Sequence, residues 1–188
     1  MIEGQRAAEI ILDILLRMRT VRPLPPKFLA AMIAVLPLPG SPLYEGDDQN
    51  VMDQALADLE IYQQAGVDSI LFENDHDLPY IQPPLDEKGI FLMTKIVNEA
   101  RKRFEGPIGI QMLEAANLTS LEIAAEADLD YIRVEAFVFA HVGGSGIING
   151  WKNIAEKKRT EGGTHQGICR RQEKAWFPFP DDRPGHQR

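Results

Sequence analysis

The sequence predicts an α/β fold built on a parallel sheet. Three observations carry this reading. Short continuous apolar runs recur along the chain, segments of helical periodicity separate them, and glycine- or proline-rich turns mark the joins. Four such strand–helix units are legible, half of a (β/α)8 barrel, a fold that usually takes about 250 residues. The chain has 188 residues, so the expectation is a TIM-type barrel truncated to about four βα units.

Ile11, Ile14, Leu15 and Met18 recur at helical spacing and predict an N-terminal amphipathic helix within residues 1–22. Pro23–Pro26 ends it, because proline cannot continue a helix and constrains its predecessor. Phe28–Leu36 is a continuous apolar run and predicts a first strand buried on both faces. A rigid Pro37–Pro42 loop follows. Asn50 is the expected cap of a helix over about 51–65, with Val51, Ala55, Leu59 and Tyr62 on its apolar face. Ser69–Phe72 predicts the second strand, and Ile90, Met93, Ile96, Val97 and Ala100 a second helix of the repeating unit. Pro107–Met112, Leu118–Ala127 and Tyr131–Val134 continue as strand, helix and strand. The glycine-rich run Gly143-Gly144-Ser145-Gly146 is expected to lead into a last helix over about 150–160.

Composition narrows the partners. Acidic residues outnumber basic ones by 28 to 20, for a formal net charge of −8. That argues against a general nucleic-acid binder, which needs clustered Lys and Arg, and against attraction to anionic lipid. A hydrophobic share of 44% and a charged share of 26% suit a packed core and not a disordered chain. The single cysteine, Cys169, excludes a disulfide framework and fits a reducing, cytoplasmic compartment. No apolar run approaches the roughly 20 residues of a membrane span. Glu3, Glu9 and Asp13 break up what a signal peptide would need to be apolar.

The segment Met32-Ile33-Ala34-Val35-Leu36-Pro37-Leu38-Pro39-Gly40-Ser41-Pro42 resembles the first-strand signature of the BtpA/SgcQ family. The resemblance continues through Ala65–Asp68, Phe72-Glu73-Asn74, Leu78-Pro79-Tyr80, Ile110–Leu113 and Ile132–Val142, covering about residues 28–162. It implies a TIM-type barrel of the ribulose-phosphate-binding kind over 28–163. It also implies either a reaction like that of phosphoribosylanthranilate isomerase, a label some members carry, or a part in photosystem I biogenesis, to which cyanobacterial members are linked. Many members carry His where this chain has Ala34, so no role of that imidazole transfers.

The family follows its fourth helix with a strand and a motif resembling DVKKKHGSH, which residues 164–188 lack as written. Read one nucleotide later, the codons of Gln172-Glu173-Lys174-Ala175 must give three consecutive Lys or Arg, and Trp176-Phe177 must give Gly. Permissible codon choices then restore the motif. The expectation is an out-of-frame, disordered tail in which Cys169 has no function.

Functional groups of such barrels stand just past the C-terminal ends of strands. Glu73 and Asn74 follow the second strand, where a carboxylate can act as general base beside an amide partner, or simply cap a loop. Arg133, late in the fourth strand, can hold a carboxylate or phosphate bidentately, or pair with Glu73, Glu114 or Glu135. These three, Glu73, Asn74 and Arg133, are the catalytic candidates. Gln111, Glu114, Glu135 and His141 are ligand-binding candidates, each weighed against a structural role. The run Glu73–Asp77 has no recognised metal spacing, and the glycine-rich loop is a weak phosphate signal. No metal or cofactor is expected. The expected partner is a small anionic ligand, with self-association through open barrel edges. The competing reading is a non-catalytic assembly factor for photosystem I or another complex.

Overall fold

The structure, a computed structural model, describes residues 26–150. Strand and helix alternate as β1 (Ala30–Ala34), α1 (Asp48–Gln64), β2 (Ser69–Glu73), α2 (Glu87–Arg103), β3 (Ile108–Gln111), α3 (Asn117–Glu126) and β4 (Tyr131–Ile132). A hairpin of β5 (His141–Gly143) and β6 (Gly146–Ile148) follows. β1 to β4 form one parallel sheet in chain order, joined by helical crossovers. This is consistent with a TIM-type fragment. The sheet is open, and no barrel closes among the described residues.

Side chains alternate across a strand, so the register decides which residues share a face. Ile33, Phe72, Ile110 and Ile132 align in one row. All four are buried. They belong to a core shared with Leu59 of α1, Met93 and Ile96 of α2 and Leu121 of α3. Removing each such aliphatic side chain from water stabilises the fold by about 1.5–3 kcal/mol. The neighbouring rows face away from these helices. Met32, Leu71, Gly109 and Tyr131 form one, and Ala34, Glu73 and Gln111 form the next. Arg133 N–H donates to Ile110 O at 3.0 Å, carrying the ladder past β4 and placing Arg133 in the row of Gln111. Gly109 is glycine for a local reason: a Cβ there would lie 2.2 Å from the Tyr131 ring. The phenol of Tyr131 reaches Ser69 Oγ at 2.8 Å across the same face.

A repeated device starts the strands. Asp68 Oδ2 accepts from Leu29 N at 2.8 Å, and Asp130 Oδ2 from Ile108 N at 2.9 Å, so each aspartate holds the entry of a neighbouring strand. Asp68 and Asp130 each stand a few residues past the helix that precedes their strand, α1 and α3 respectively.

Four expectations need correction. β1 covers only Ala30–Ala34 and is buried on one face, because no helix among the described residues packs on its other side, where Met32 is 45% exposed. The cap of α1 is Asp47, whose carboxylate accepts from Asn50 N at 2.9 Å, so the helix starts a turn earlier than Asn50 suggests. β4 stops at Ile132, since the chain beyond Arg133 turns away toward α3. The glycine-rich run closes the β5–β6 hairpin and leads into no helix; Gly146, at φ +105, supplies the backbone conformation the turn requires. The helix within 1–22, the helix beyond residue 150 and the tail over 164–188 lie outside the described residues.

Candidate functional site

Glu73, Gln111 and Arg133 come from the ends of three adjacent strands and meet on the face of the sheet away from the helices. Glu73 and Gln111 are each 2% exposed. Arg133 Nη2 lies 2.6 Å from Glu73 Oε1, its Nε donates to Gln111 Oε1, and its Nη1 meets Met32 Sδ at 3.3 Å. The Glu73–Arg133 contact is an ion pair without hydrogen-bond alignment, and Glu73 Oε1, fully buried, has no hydrogen-bond donor. Burial pushes the Glu73 carboxyl above its ordinary value, Arg133 opposes this, and Asp75 and Glu135 add to it. The Arg133 side chain is 48% exposed, so its guanidinium is open to solvent above a buried acid.

The other acids near this row are occupied by the protein itself. Glu114 accepts from Gly144 N at 2.6 Å and Ser145 N at 2.7 Å. Burial alone would raise its carboxyl, but the hydrogen bonds from Ser145 and Gly144 outweigh that and hold it below its ordinary value. The glycine-rich turn therefore is an anion cradle, filled by a carboxylate of the same chain. Glu135 Oε2 accepts from Ala115 N at 2.5 Å at the entry to α3, and its backbone is gripped by both atoms of the Asn117 amide. Asp77 accepts from Leu38 N at 2.7 Å and from Asn74 Nδ2 at 2.9 Å, and burial raises its carboxyl. Asp75 accepts from the Tyr80 hydroxyl at 2.8 Å. That phenol is pushed up to about 12 by burial and by the Asp75 hydrogen bond.

Of the residues singled out in the sequence, Glu73, Gln111 and Arg133 come together. Asn74 does not join them. Its Oδ1 accepts from Leu113 N at 2.7 Å and its Nδ2 donates to Leu113 O and Asp77, so it ties the loops after β2 and β3, while Asp77 reaches the loop after β1 through Leu38 N. Glu114 and Glu135 hold backbone, and His141 stands exposed at the start of β5. His76 Nδ1 faces Val35 O at 3.1 Å, and no group of three or more His, Cys, Asp or Glu able to hold a metal exists among the described residues. Sequence reasoning missed Met32, Tyr80 and Asn117. Only Asn117, at the start of a predicted helix, carried a local signal. A separate cavity of about 320 Å³ lies between the β1–α1 loop and the first turn of α1, lined by Leu36, Tyr44 and Val51 among others and by none of the row.

The arrangement offers a half-exposed cation, a neutral amide and a buried acid biased toward its protonated form. Such a set can orient an anion and exchange a proton beside it. No helix among the described residues is long and apolar enough to cross a membrane.

The BtpA family matches residues 26–164 of the chain. An uncharacterized protein of Pyrococcus abyssi is 35% identical over 124 residues, which make up 66% of this chain and 48% of that protein. An uncharacterized protein of Pyrococcus horikoshii is 31% identical over 134 residues, 71% of this chain and 51% of that protein. The photosystem I biogenesis protein BtpA of Synechocystis sp. is 29% identical over 119 residues, 63% of this chain and 42% of that protein. The chain spans about half the length of the curated relatives it matches. No solved structure matches it.

Proposed function

The chain belongs to the BtpA family, and on that premise we propose that the row Glu73–Gln111–Arg133 binds a small anionic molecule, phosphorylated or carboxylated. One observation carries the reading. Arg133 turns a half-exposed guanidinium toward solvent while the acids around it are engaged by backbone N–H groups, by Asn74 or by Tyr80. An acid-rich mouth repels anions less where its carboxylates turn their charge onto N–H donors of the chain or are biased toward their neutral forms. Here Glu114 and Glu135 are bound to backbone, and Glu73 and Asp77 are biased toward their neutral forms. The ends of parallel strands are also where barrel and open α/β folds place their ligands. If a reaction follows, Glu73 is the group that moves the proton, with Gln111 and Arg133 fixing the substrate.

The experiment is calorimetry of the chain with sulfate, phosphate, phosphorylated sugars and dicarboxylates, repeated on Arg133→Ala. Loss of a charged hydrogen-bond partner should weaken binding by about 1.5–3 kcal/mol. Equal affinity with and without Arg133 overturns the reading.

A second reading has its own observation. Phe137, Phe139, Val142 and Ile147 are exposed on the segment after β4 and on the hairpin. Apolar side chains gathered on one segment suit a protein contact, and the Synechocystis relative bears the name of a biogenesis protein. This supports a non-catalytic assembly role, and it gains if no anion binds.

A further inference from the structure

We infer that this site takes up its anion together with a proton: an anion that captures the Arg133 guanidinium strips buried Glu73 of its charged partner, and the Glu73 carboxylate binds a proton from solvent in the same event. The inference rests on the anion-binding reading above and adds to it how ligand and proton are coupled.

Three carboxylates near the mouth show the contrast. Glu114 rests on two backbone N–H groups and Glu135 on one. Each keeps its donors whatever Arg133 does. Glu73 has none: its buried Oε1 lacks any hydrogen bond, and Arg133 is its one ion-pair partner among the described residues. Glu73 is 2% exposed, and its Oε1 is shut off from water altogether. Its ionised state therefore depends on a single guanidinium.

That guanidinium is also the group a ligand can reach. Its Nη1 spends a donor on Met32 Sδ, a weak acceptor on a side chain that is 45% exposed. An oxyanion is a far better acceptor, so it enters at Nη1 and draws the plane of the guanidinium away from Glu73. Everything else facing Glu73 pushes the same way. Asp75 on its own loop and Glu135 beyond β4 both favour the neutral acid. Gln111 of β3 is uncharged, Ala34 of β1 carries no charge, and the Tyr80 phenol stays protonated. The incoming anion adds one more negative charge. Only Arg133 favours the ionised form, and the ligand takes it.

The probe is sulfate, which does not titrate over the working range, so any proton count belongs to the protein. Calorimetry in buffers of different ionisation enthalpy gives the number of protons taken up. The expected result is net proton uptake, with sulfate affinity rising as the solution is acidified toward the titration of Glu73. In Glu73→Gln the titrating group is gone: whatever its affinity for sulfate, binding should carry no uptake and show a flat pH profile. Sulfate binding without uptake in the parent, or unchanged uptake in Glu73→Gln, overturns the coupling and leaves the anion site standing. Absence of sulfate binding in both proteins overturns the site itself and the coupling with it. A second readout needs no variant: the carboxyl carbon of Glu73, followed by NMR, should titrate at higher pH with sulfate than without. An unmoved titration overturns the coupling.

Discussion

Arg133 and Glu73 meet across an intervening strand: Nη2 of one lies 2.6 Å from Oε1 of the other, while Gln111 of β3 accepts from the same guanidinium. One side chain thus ties the C-terminal ends of β2, β3 and β4. Arg133→Met keeps the apolar stem and removes the charge. The buried acid then has no partner at neutral pH, and stability should fall by about 1–3 kcal/mol. As the solution is acidified and Glu73 takes up its proton, the loss should shrink. Urea titrations at the two conditions check this; an equal loss at both would assign the effect to packing.

Glu73→Gln tests the same pair from below. Burial raises the folded-state value of the Glu73 carboxyl above its ordinary 4.5. The folded state therefore prefers the neutral acid. That contribution is complete below the unfolded value and is lost as pH rises through the folded one. Glutamine is neutral throughout and can still accept from Arg133. The variant should match the parent in acid and exceed it in stability at neutral pH. Thermal melts across this range should show the two curves diverging upward in pH.

The sheet was legible because its strands are apolar runs, such as Ile70-Leu71-Phe72, that no solvated segment would carry. The joint appearance of Glu73, Gln111 and Arg133 was legible too, since each stands at a strand end and parallel register aligns strand ends. What remained hidden was the destination of the other polar groups. Asn74 reaches Leu113, 39 residues on, and Glu114 reaches Gly144, 30 residues on. Their partners are backbone N–H groups, which every sequence has everywhere, so no side-chain pattern announces the pairing. The Gly143–Gly146 run was misread for a related reason. Glycines permit both a helix-entry loop and a tight hairpin, and only the pairing of Val142 with Ile147 decides between them.

Asn74→Ala should cost more than its place beside a candidate site suggests. The substitution leaves the buried N–H of Leu113 without its acceptor and frees Asp77 from one of its two donors. An unsatisfied buried donor costs about 1–3 kcal/mol. The expected outcome is a loss in that range in chemical denaturation, with faster amide exchange at Leu113 and Leu38. A stability unchanged from the parent would remove the clamp from the account of how these loops are held.

Glu114→Gln separates the hairpin from the sheet. One amide group of the glutamine must face a backbone N–H of Gly144 or Ser145, donor against donor. The Glu114 carboxyl lies below its ordinary value of 4.5, so its contribution is complete above the unfolded value and is lost as pH falls through the folded one. The Gly144 and Ser145 amides should exchange faster in the variant at neutral pH, and in the parent only as pH falls through the folded-state titration of Glu114. Amides of β2 and β3 should not change. Equal protection of the hairpin in both proteins would show that Ile148, buried beneath it, holds the hairpin unaided.

The edges of the sheet make the last prediction. Among the described residues β1 pairs only with β2, and β4 only with β3, so each presents backbone groups unpaired by them on its outer side. Edges of this kind template pairing with another chain unless charge, proline or a bulge blunts them. β1 carries none of these: its sequence is Ala-Ala-Met-Ile-Ala, with Met32 half exposed on the face away from the helices and Phe28 and Leu29 exposed just before it. On that face of β1, among the described residues, the Arg133 guanidinium meets Met32 Sδ. The 188-residue chain should therefore self-associate, with a mass that rises with concentration in light scattering. Met32→Lys places a charge on the open face without touching the core row of Ile33, and it should shift the population toward monomer. A parent chain that stays monomeric at high concentration and melts cooperatively would show that its β1 edge is already protected.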